Sequence, residues 1–355
     1  MGRCYQIGRR LRVACFPSAI ILPGCGKGGG ILSAEGEYQP SSYFYRGATD
    51  AHAYAYNRDE VRIIGGEALY LGLINPCWGH CLTDGIKFLW VLFSDGLTDA
   101  QKRIIRLVYT TQTPTDKLPA NFISILECLG VEESRLVRID KPTRVAHLYL
   151  PDECFWNESG RGRFFTEEYV QLLDRLTLPS PETIQRKVYL TRSNWQGRTN
   201  DYGESDVAHY FSSIGFEVIS PETLSLDGLR EMLGGCAVLA ATEGSIAHNA
   251  VFLREGTKLI LLRKSNWTND YQVAVNEARK LDVTYVDANR TWLVDPRTPW
   301  EGPFFLYVSQ GLVQLLGGKS FFPVCKYTVY LSIVIYRKCH RLLRIVYAKM
   351  RAALK

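Results

Sequence analysis

The chain of 355 residues has no aspartate or glutamate after Glu301 and no apolar run of the length that crosses a bilayer. Nine lysines and arginines follow Glu301, so the rest of the chain holds 33 basic against 36 acidic residues, and the net charge of +6 comes from the tail. A slightly acidic body argues against nucleic acid as a partner. A helical span needs ~20 apolar residues, so we do not expect an integral membrane protein.

The ten cysteines lack the regular spacing of a disulfide framework, and several stand in apolar surroundings, as Cys236 does. Such cysteines are typical of reduced thiols in a cytoplasmic protein. Cys77 and Cys81 flank His80, which would suit a zinc ion, but no second pair of cysteines or histidines follows at ligand spacing. We therefore expect no metal and no other cofactor.

Strand-like and helix-like runs alternate at short spacing between residues 187 and 287. This alternation predicts parallel strands joined by crossover helices, and hence a doubly wound sheet. The first half of the chain is similar but less regular, so we predict an α/β fold with two facing doubly wound domains. The predicted divisions are an N-terminal segment at 1–35, an N-terminal α/β domain at 36–180, a C-terminal α/β domain at 181–300 and C-terminal helices at 301–355.

The segment ATEGSIAHNA, residues 241–250, places small polar residues where a predicted strand ends and a predicted helix begins. Arg192 ends another predicted strand, and Arg198 lies in the polar loop behind it. Ligands of parallel sheets collect at such ends, because a helix N-terminus offers unpaired amides and partial positive charge. Two arginines beside this turn would suit a diphosphate. The alternative is an ordinary helix cap by Thr242 or Ser245.

His80 and Asp84 stand four residues apart at the start of a predicted helix, residues 79–93. This spacing puts both side chains on one helix face. A histidine oriented by a carboxylate can act as a general base. A capping or core histidine is the structural alternative.

In this order, the clusters resemble glycosyltransferase family 61 over residues 66–287. WGHCLTD is similar to the family's GHW segment and the acidic residue behind it, through His80 and Asp84. VYLTRSNWQGRTNDYGESD is similar to the family's strand ending in Ser-Arg, its second arginine and its Asn-Glu pair, through Arg192, Arg198 and Glu204.

The segment TEGSIAHNAVF resembles the family's His-Gly-Ala-Gly-Leu turn and its asparagine through Gly244 and Asn249. Three positions depart from the family pattern. Glu243 stands in place of the histidine, Ile246 in place of the second glycine, and Gly203 in place of the asparagine before the glutamate.

A carboxylate at Glu243 would repel a diphosphate unless it is turned away, protonated or engaged by a base. It could then hold a sugar hydroxyl or pair with Arg192 or Arg198. His248 falls on a position that varies in the family, so we expect it to be a structural residue.

The resemblance implies a GT-B fold, with the donor held mainly by the C-terminal domain and the acceptor by the N-terminal domain. It also implies an inverting, metal-independent transfer of a hexosyl or pentosyl unit from a nucleotide-diphosphate sugar to a glycan, with His80 or Asp84 as the base. The expected nucleotide-sugar and phosphate site comprises Arg192, Arg198, Glu204, Glu243, Gly244, Ser245 and Asn249.

The biological setting that the resemblance favours is the synthesis of a surface polysaccharide, either capsule or lipopolysaccharide. Two other functions stay open. A polysaccharide pyruvyltransferase would share the two-domain outline, and a non-catalytic glycan-binding or scaffold relative would explain the altered turn at Glu243 and Ile246.

The tail after residue 321 combines a short apolar stretch with cations that recur at helical spacing. Its basic and apolar stripes predict an amphipathic helix that lies on an anionic membrane, which would place the protein on the inner face of the cell membrane beside a lipid-linked glycan acceptor. The alternative is a helix packed back on the N-terminal domain. The basic stripe comprises Arg337, Arg341, Arg344, Arg351 and Lys355.

Overall fold

The strands and helices of this protein are described by a computed structural model that covers residues 4–25, 28–39, 52–111, 117–158, 161–178, 185–193, 201–290 and 302–353. The strands are β1 (Cys4–Gln6), β2 (Val13–Cys25), β3 (Gly28–Leu32), β4 (Tyr38–Gln39), β5 (Arg62–Ile74), β6 (Arg106–Thr111), β7 (Leu136–Arg138), β8 (Thr143–Pro151), β9 (Phe155–Glu158), β10 (Gly162–Phe165), β11 (Arg186–Leu190), β12 (Asp201–Tyr202), β13 (Glu217–Ile219), β14 (Cys236–Thr242), β15 (Lys258–Arg263), β16 (Asp282–Asp287) and β17 (Phe304–Phe305).

Most of the described α-helices are short, and the exception is the long helix at the C-terminal end. They are α1 (Trp78–Leu82), α2 (Asp99–Ile104), α3 (Ala120–Cys128), α4 (Glu167–Leu176), α5 (Glu204–Ser213), α6 (Leu226–Gly234), α7 (Asp270–Ala278), α8 (Gln310–Leu316) and α9 (Val324–Ala353). Short 3-10 helices include Asp84–Ile86, Leu89–Phe93 and Ala247–Phe252.

The C-terminal half contains a five-stranded, all-parallel sheet in the order β13-β11-β14-β15-β16. Its strands are apolar on both faces: α6 and α7 pack on one face, and α5 and α8 on the other. Burial on both faces is the reason that these strands read as short continuous apolar runs. The doubly wound sheet predicted for this half is present.

The N-terminal half contains a seven-stranded sheet in the order β4-β3-β2-β8-β5-β6-β7, and this sheet is mixed. Strands β8, β5, β6 and β7 are parallel, whereas β2, β3 and β4 are antiparallel to their neighbours. The prediction of a second doubly wound sheet is therefore wrong. A short glycine-rich connection joins the apolar strands β2 and β3, and such a connection favours a hairpin over a helical crossover.

The helices of the N-terminal half lie on one face of the mixed sheet, whose inward residues join a hydrophobic cluster shared with the C-terminal sheet. Leu69 and Leu107 contribute to this cluster from the first sheet, and Leu190 and Leu239 from the second. Among the described residues, the buried side chains on the opposite face come from strands and from the loop residue Ile139. The two sheets are thus joined by one continuous core.

The helix α9 has 30 residues and two distinct parts. Tyr327, Tyr330 and Val334 are buried against Phe305, whereas every residue from 335 to 351 is exposed. Lys326 Nζ lies 2.7 Å from Asp206 Oδ2 on α5 and ties the first part to the C-terminal half. The first part of α9 therefore packs on the C-terminal half, so the alternative of a helix packed on the N-terminal domain is wrong. In the described part of the chain, no helix is long and apolar enough to cross a membrane.

Gly203 has φ +80° and precedes α5, where the strand β17 pairs with β12. A Cβ at this position would lie 2.1 Å from the carbonyl oxygen of Leu306. Leu306 also donates its backbone N–H to the carbonyl of Tyr202. The segment after Pro303 therefore approaches the backbone so closely that only glycine fits, which explains the departure from the family's asparagine.

Gly203→Ala should lower the free energy of unfolding by about 3 kcal/mol or more, because it adds both left-handed strain and a steric clash. Gly215 is the matched control, since it has φ +87° and open space around its Cβ position. Gly215→Ala should cost about 1 kcal/mol from strain alone. Urea unfolding measures both values, and equal losses would contradict the close approach of Leu306.

Candidate active site

The candidate site lies at the carboxyl ends of β11 and β14. From β11 the chain continues to β13 on one side of the sheet, whereas from β14 it continues to β15 on the other side. Such a reversal opens a crevice in which open α/β sheets bind their ligands. Arg192 follows β11, and Gly244 follows β14 with φ +120°. A Cβ at Gly244 would lie 3.7 Å from Arg192 Nη1, so the arginine side chain reaches the turn.

Glu204, the first residue of α5, holds the backbone that carries Arg192. Its Oε1 accepts hydrogen bonds from Tyr189 Oη at 2.8 Å, Thr191 Oγ1 at 3.0 Å and Arg192 N at 3.2 Å. Burial and the negative charge of Asp201 raise the pKa of Glu204. Glu204 therefore fixes the end of β11, and its effect on a ligand would pass through Arg192.

Glu243 is 2% exposed at the end of β14. Its Oε2 accepts a hydrogen bond from the backbone N–H of Lys264 at 3.1 Å. Burial raises the pKa of Glu243 to about 7, even though this hydrogen bond and the charges of Arg263 and Lys264 lower it. A large fraction of the Glu243 side chains is then protonated, and so neutral, at physiological pH. Protonation was one of the alternatives expected for this residue beside a diphosphate.

The helix α1 of the N-terminal half lies directly on the turn after β14. Trp78 Nε1 donates to Asn249 Oδ1 at 3.1 Å, and Asn249 Nδ2 donates to the carbonyl of Ile246 at 2.7 Å. A Cβ on Gly79 would lie 2.6 Å from His248 Cδ2 and 3.1 Å from Ser245 Oγ. Asn249 and Ser245 thus join the two halves of the chain at this site.

The next residue, His80, forms the predicted pair with Asp84. His80 Nδ1 lies 2.8 Å from Asp84 Oδ1, which also accepts from Thr83 Oγ1 at 3.1 Å. Burial opposes the ionisation of Asp84, but His80, Lys87 and Arg163 outweigh it and hold the pKa of Asp84 below its usual range. An ionised Asp84 fixes the imidazole with Nδ1–H toward the carboxylate and leaves Nε2 to take up a proton.

The pairing is right, but the predicted helix over residues 79–93 is wrong. The helix α1 ends at Leu82, Thr83 leaves the helical conformation, and Asp84 opens a 3-10 helix. The turn after β14 likewise leads into a six-residue 3-10 helix instead of the predicted α-helix. The electrostatic contribution expected from an α-helix N-terminus is therefore not available here, and the backbone amides of the turn and Arg192 remain.

Three further residues surround the dyad that the sequence did not single out for this site: Arg163, Tyr271 and Lys87. The His80 ring meets the Tyr271 ring edge-on at 5.1 Å. The Arg163 guanidinium stacks on the Tyr271 ring, with its carbon 3.4 Å from the ring centroid. Buried Lys87 pairs with Glu153 at 2.6 Å. Lys87 follows Asp84 by three residues, whereas Arg163 on β10 and Tyr271 on α7 lie far from the dyad in sequence, so no local pattern identifies those two.

His248 is buried beside the dyad, as its expected structural role requires. Its Nε2 lies 3.4 Å from Asn269 Nδ2. Burial, followed by the charge of His80, lowers the pKa of His248 to about 3, so it is neutral. Its contact with Gly79 makes it a wall of the site.

Most of the predicted site residues therefore come together, with Arg198 outside the described residues. Among the residues that the structure describes, no group of three or more His, Cys, Asp or Glu side chains is arranged to hold a metal ion. A groove of about 830 Å³ runs elsewhere, along β16 and α8, and the dyad does not line it. The His80–Asp84 dyad and Arg192, and not the volume of the groove, identify the crevice at the ends of β11 and β14 as the candidate site.

A His–carboxylate dyad can act as a general base, and an arginine at a strand-end crevice suits an anionic ligand. The family model Glycosyltransferase 61 matches residues 78–260, which is more than half of the 355 residues. The chain belongs to glycosyltransferase family 61, and this family implies a glycosyltransferase with a sugar donor and a glycan acceptor. No curated protein matches the chain significantly.

The raised pKa of Glu243 makes stability depend on pH. The folded state binds the proton more tightly than the unfolded state, whose carboxyl has a pKa near 4.5, so this group destabilises the fold as pH rises from 4.5 through about 7. Glu243→Gln removes the ionisation. Relative to wild type, it should be nearly neutral at pH 5 and more stable at pH 8 by up to about 3 kcal/mol.

Urea unfolding of both proteins at the two pH values gives this difference directly, because all other carboxyl groups contribute equally to both. Glu255→Gln, at an exposed carboxylate of the same half, should change stability by less than about 0.5 kcal/mol at either pH. A Glu243→Gln protein whose difference from wild type is the same at pH 5 and pH 8 would refute the raised pKa.

Proposed function

We propose that this protein is an inverting, metal-independent glycosyltransferase that moves a hexosyl or pentosyl unit from a nucleotide-diphosphate sugar to a glycan acceptor in capsule or lipopolysaccharide synthesis. The observation that carries the proposal is the packing of α1, which bears His80, against the turn after β14 that the Arg192 side chain reaches. In a GT-B arrangement, residues 181–300 hold the donor and residues 36–180 hold the acceptor.

The proposed reaction is a single displacement. His80 Nε2 takes the proton of an acceptor hydroxyl while its Nδ1–H stays hydrogen-bonded to Asp84. The acceptor oxygen attacks the anomeric carbon, and the bond from this carbon to the diphosphate oxygen breaks with both electrons leaving on the diphosphate. The configuration at the anomeric carbon inverts, and one base suffices because no covalent enzyme intermediate forms.

Arg192 and the backbone amides around Gly244 stabilise the leaving diphosphate. The protonated form of Glu243 adds no repulsion at this point, and its hydroxyl and carbonyl oxygens can bind a sugar hydroxyl. Arg198 is proposed as the second phosphate-binding arginine. No bound cofactor has a part in this scheme, since the donor supplies the activated bond.

The exposed part of α9 is proposed to bind an anionic membrane surface on the cytoplasmic side. Six cations and eight large apolar or aromatic residues are exposed between residues 335 and 351. Opposite charge and partial insertion of the apolar residues favour anionic lipid as the partner. This location would bring the enzyme to a lipid-linked glycan acceptor.

The decisive test of function separates donor binding from transfer. UDP, GDP, CMP, TDP and their common sugars are screened by thermal shift without added metal, and the donor that binds is then used in a transfer assay. Arg192→Ala should lose the nucleotide-dependent shift. Asp84→Asn and His80→Ala should keep the shift and lose about 10²–10⁴-fold in turnover.

Arg186→Ala is the matched control, because Arg186 begins β11 at the opposite end from Arg192 and pairs with Glu217 at 3.7 Å. It should retain both binding and transfer. Undiminished turnover in His80→Ala would refute the base, and undiminished turnover in Asp84→Asn would refute its orienting partner. A pyruvyl group in the product would assign a pyruvyltransferase. Donor binding without any transfer would favour the scaffold function.

The membrane proposal predicts that the protein sediments with vesicles of phosphatidylglycerol in phosphatidylcholine and not with phosphatidylcholine alone. A variant with six glutamines in place of the distal cations should bind at least about 100-fold more weakly, because each cation contributes about 1 kcal/mol near the surface. The replaced residues are Arg337, Lys338, Arg341, Arg344, Lys349 and Arg351.

These substitutions spare the buried Tyr327, Tyr330 and Val334, so the thermal shift with the donor should be unchanged. A deletion of residues 337–355 serves the same purpose and also removes the apolar face. Vesicle binding that survives both changes would show that the exposed part of α9 is not the membrane contact.

A further inference from the structure

Tyr271 brings an aromatic wall from the C-terminal half to a dyad that belongs to the N-terminal half. It is the second residue of α7, and its ring meets the His80 imidazole edge-on, with centroids 5.1 Å apart and planes at 82°. The same ring contacts Phe155 at 5.9 Å and His248 at 6.5 Å. If the hydrogen bond to Asp84 were its only restraint, the imidazole could rotate about that bond. The Tyr271 ring limits this rotation.

Arg163 holds the Tyr271 ring in turn. Its guanidinium carbon lies 3.4 Å from the centre of that ring and 5.7 Å from the centre of the Phe155 ring. Arg163 is 9% exposed, and its Nε is buried without a hydrogen-bond partner among the described residues. The charge of Asp84 attracts this guanidinium, and the aromatic faces of Tyr271 and Phe155 stabilise it by cation–π contact, so the cation and the ring fix each other.

We propose that Tyr271 and Arg163 are positioning residues for the His80–Asp84 dyad: the ring sets the plane of the imidazole, and the cation locks the ring. This inference rests on the proposed function. Neither residue touches the reacting atoms in this scheme. Their effect is to keep Nδ1 on Asp84 and to aim Nε2 at the acceptor hydroxyl, and a misplacement of about 1 Å is enough to slow a reaction about 100-fold.

The arrangement also couples the two halves, because the base comes from α1 and its wall from α7. Arg163 comes from β10, whose neighbour β9 supplies Phe155. The dyad is therefore complete only while α7 and β10 stay packed against α1. Loss of the ring should lower kcat and leave donor binding intact, because Arg192 and the turn at Gly244 lie on other elements.

The kinetic test compares Tyr271→Phe, which keeps the ring, with Tyr271→Leu, which keeps bulk without aromaticity. Tyr271→Leu should lower kcat about 100-fold with the donor KM within about twofold of wild type, whereas Tyr271→Phe should stay within about threefold. Arg163→Met should lower kcat about tenfold or more, and Arg163→Lys, which keeps the cation, should recover part of the loss. Equal kcat in Tyr271→Phe and Tyr271→Leu would overturn the proposal.

A second measurement does not depend on turnover. Nitrogen-15 NMR of the histidine rings, with His80→Gln to assign the signal, reports which nitrogen of His80 carries the proton. Wild type and Tyr271→Phe should show the Nδ1-protonated form, and Tyr271→Leu a mixture of tautomers. Unchanged spectra in Tyr271→Leu would refute the positioning. A wild-type protein that transfers no sugar would instead refute the proposed function, and the spectra would still decide the role of Tyr271.

Discussion

The arrangement of the site depends on the close packing of α1 against the turn after β14. The hydrogen bond from Trp78 to Asn249 fixes the orientation of α1 on the turn. Gly79 has no side chain, and this lets α1 lie close to the turn, since a Cβ at Gly79 would lie 2.6 Å from His248. This packing brings α1, which carries His80, against the turn that the Arg192 side chain reaches. His80 itself contacts Tyr271 of the other half, so a change in packing would alter both contacts.

Lys264 organises the opposite side of the crevice in a comparable way. Its backbone N–H binds Glu243, its ammonium group lies 3.1 Å from Asp201, and its carbonyl accepts from Asn289 at 2.7 Å. One fully buried lysine thus connects the end of β15 to β14, to β12 and to the segment that follows β16. Breaking such a buried ion pair leaves an uncompensated charge, so this network makes the strand ends rigid.

The alternation of apolar and amphipathic runs was enough to predict the parallel sheet β13-β11-β14-β15-β16, because its inner strands are buried on both faces and each connection is short. The same reasoning failed for β2 and β3, where pairing is local and antiparallel. Spacing also predicted the pairing of His80 with Asp84, although the helix that justified it ends at Leu82. The hydrogen bond survives because Thr83 turns the chain without moving Asp84 away.

Sequence could not indicate Tyr271 or Arg163, since their importance arises from contacts between α7, β10 and α1 and not from any local pattern. For the same reason, the sequence left protonation as only one of several alternatives for Glu243. Its electrostatic surroundings come from β15 and β16, and only the folded chain shows that burial outweighs the neighbouring cations. The order of the motifs along the sequence predicted where the crevice lies. The protonation and the positions of its side chains follow from tertiary packing.

The approach of Leu306 to Gly203 restricts which residue the chain accepts at this position. Asparagine adopts a left-handed backbone more readily than most residues with a side chain, so strain alone does not exclude it. The obstacle is the carbonyl oxygen of Leu306, 2.1 Å from the place where any Cβ would lie. A residue other than glycine at position 203 therefore requires the segment at 304–306 to move, and the identity of residue 203 is tied to the path of the chain after Pro303.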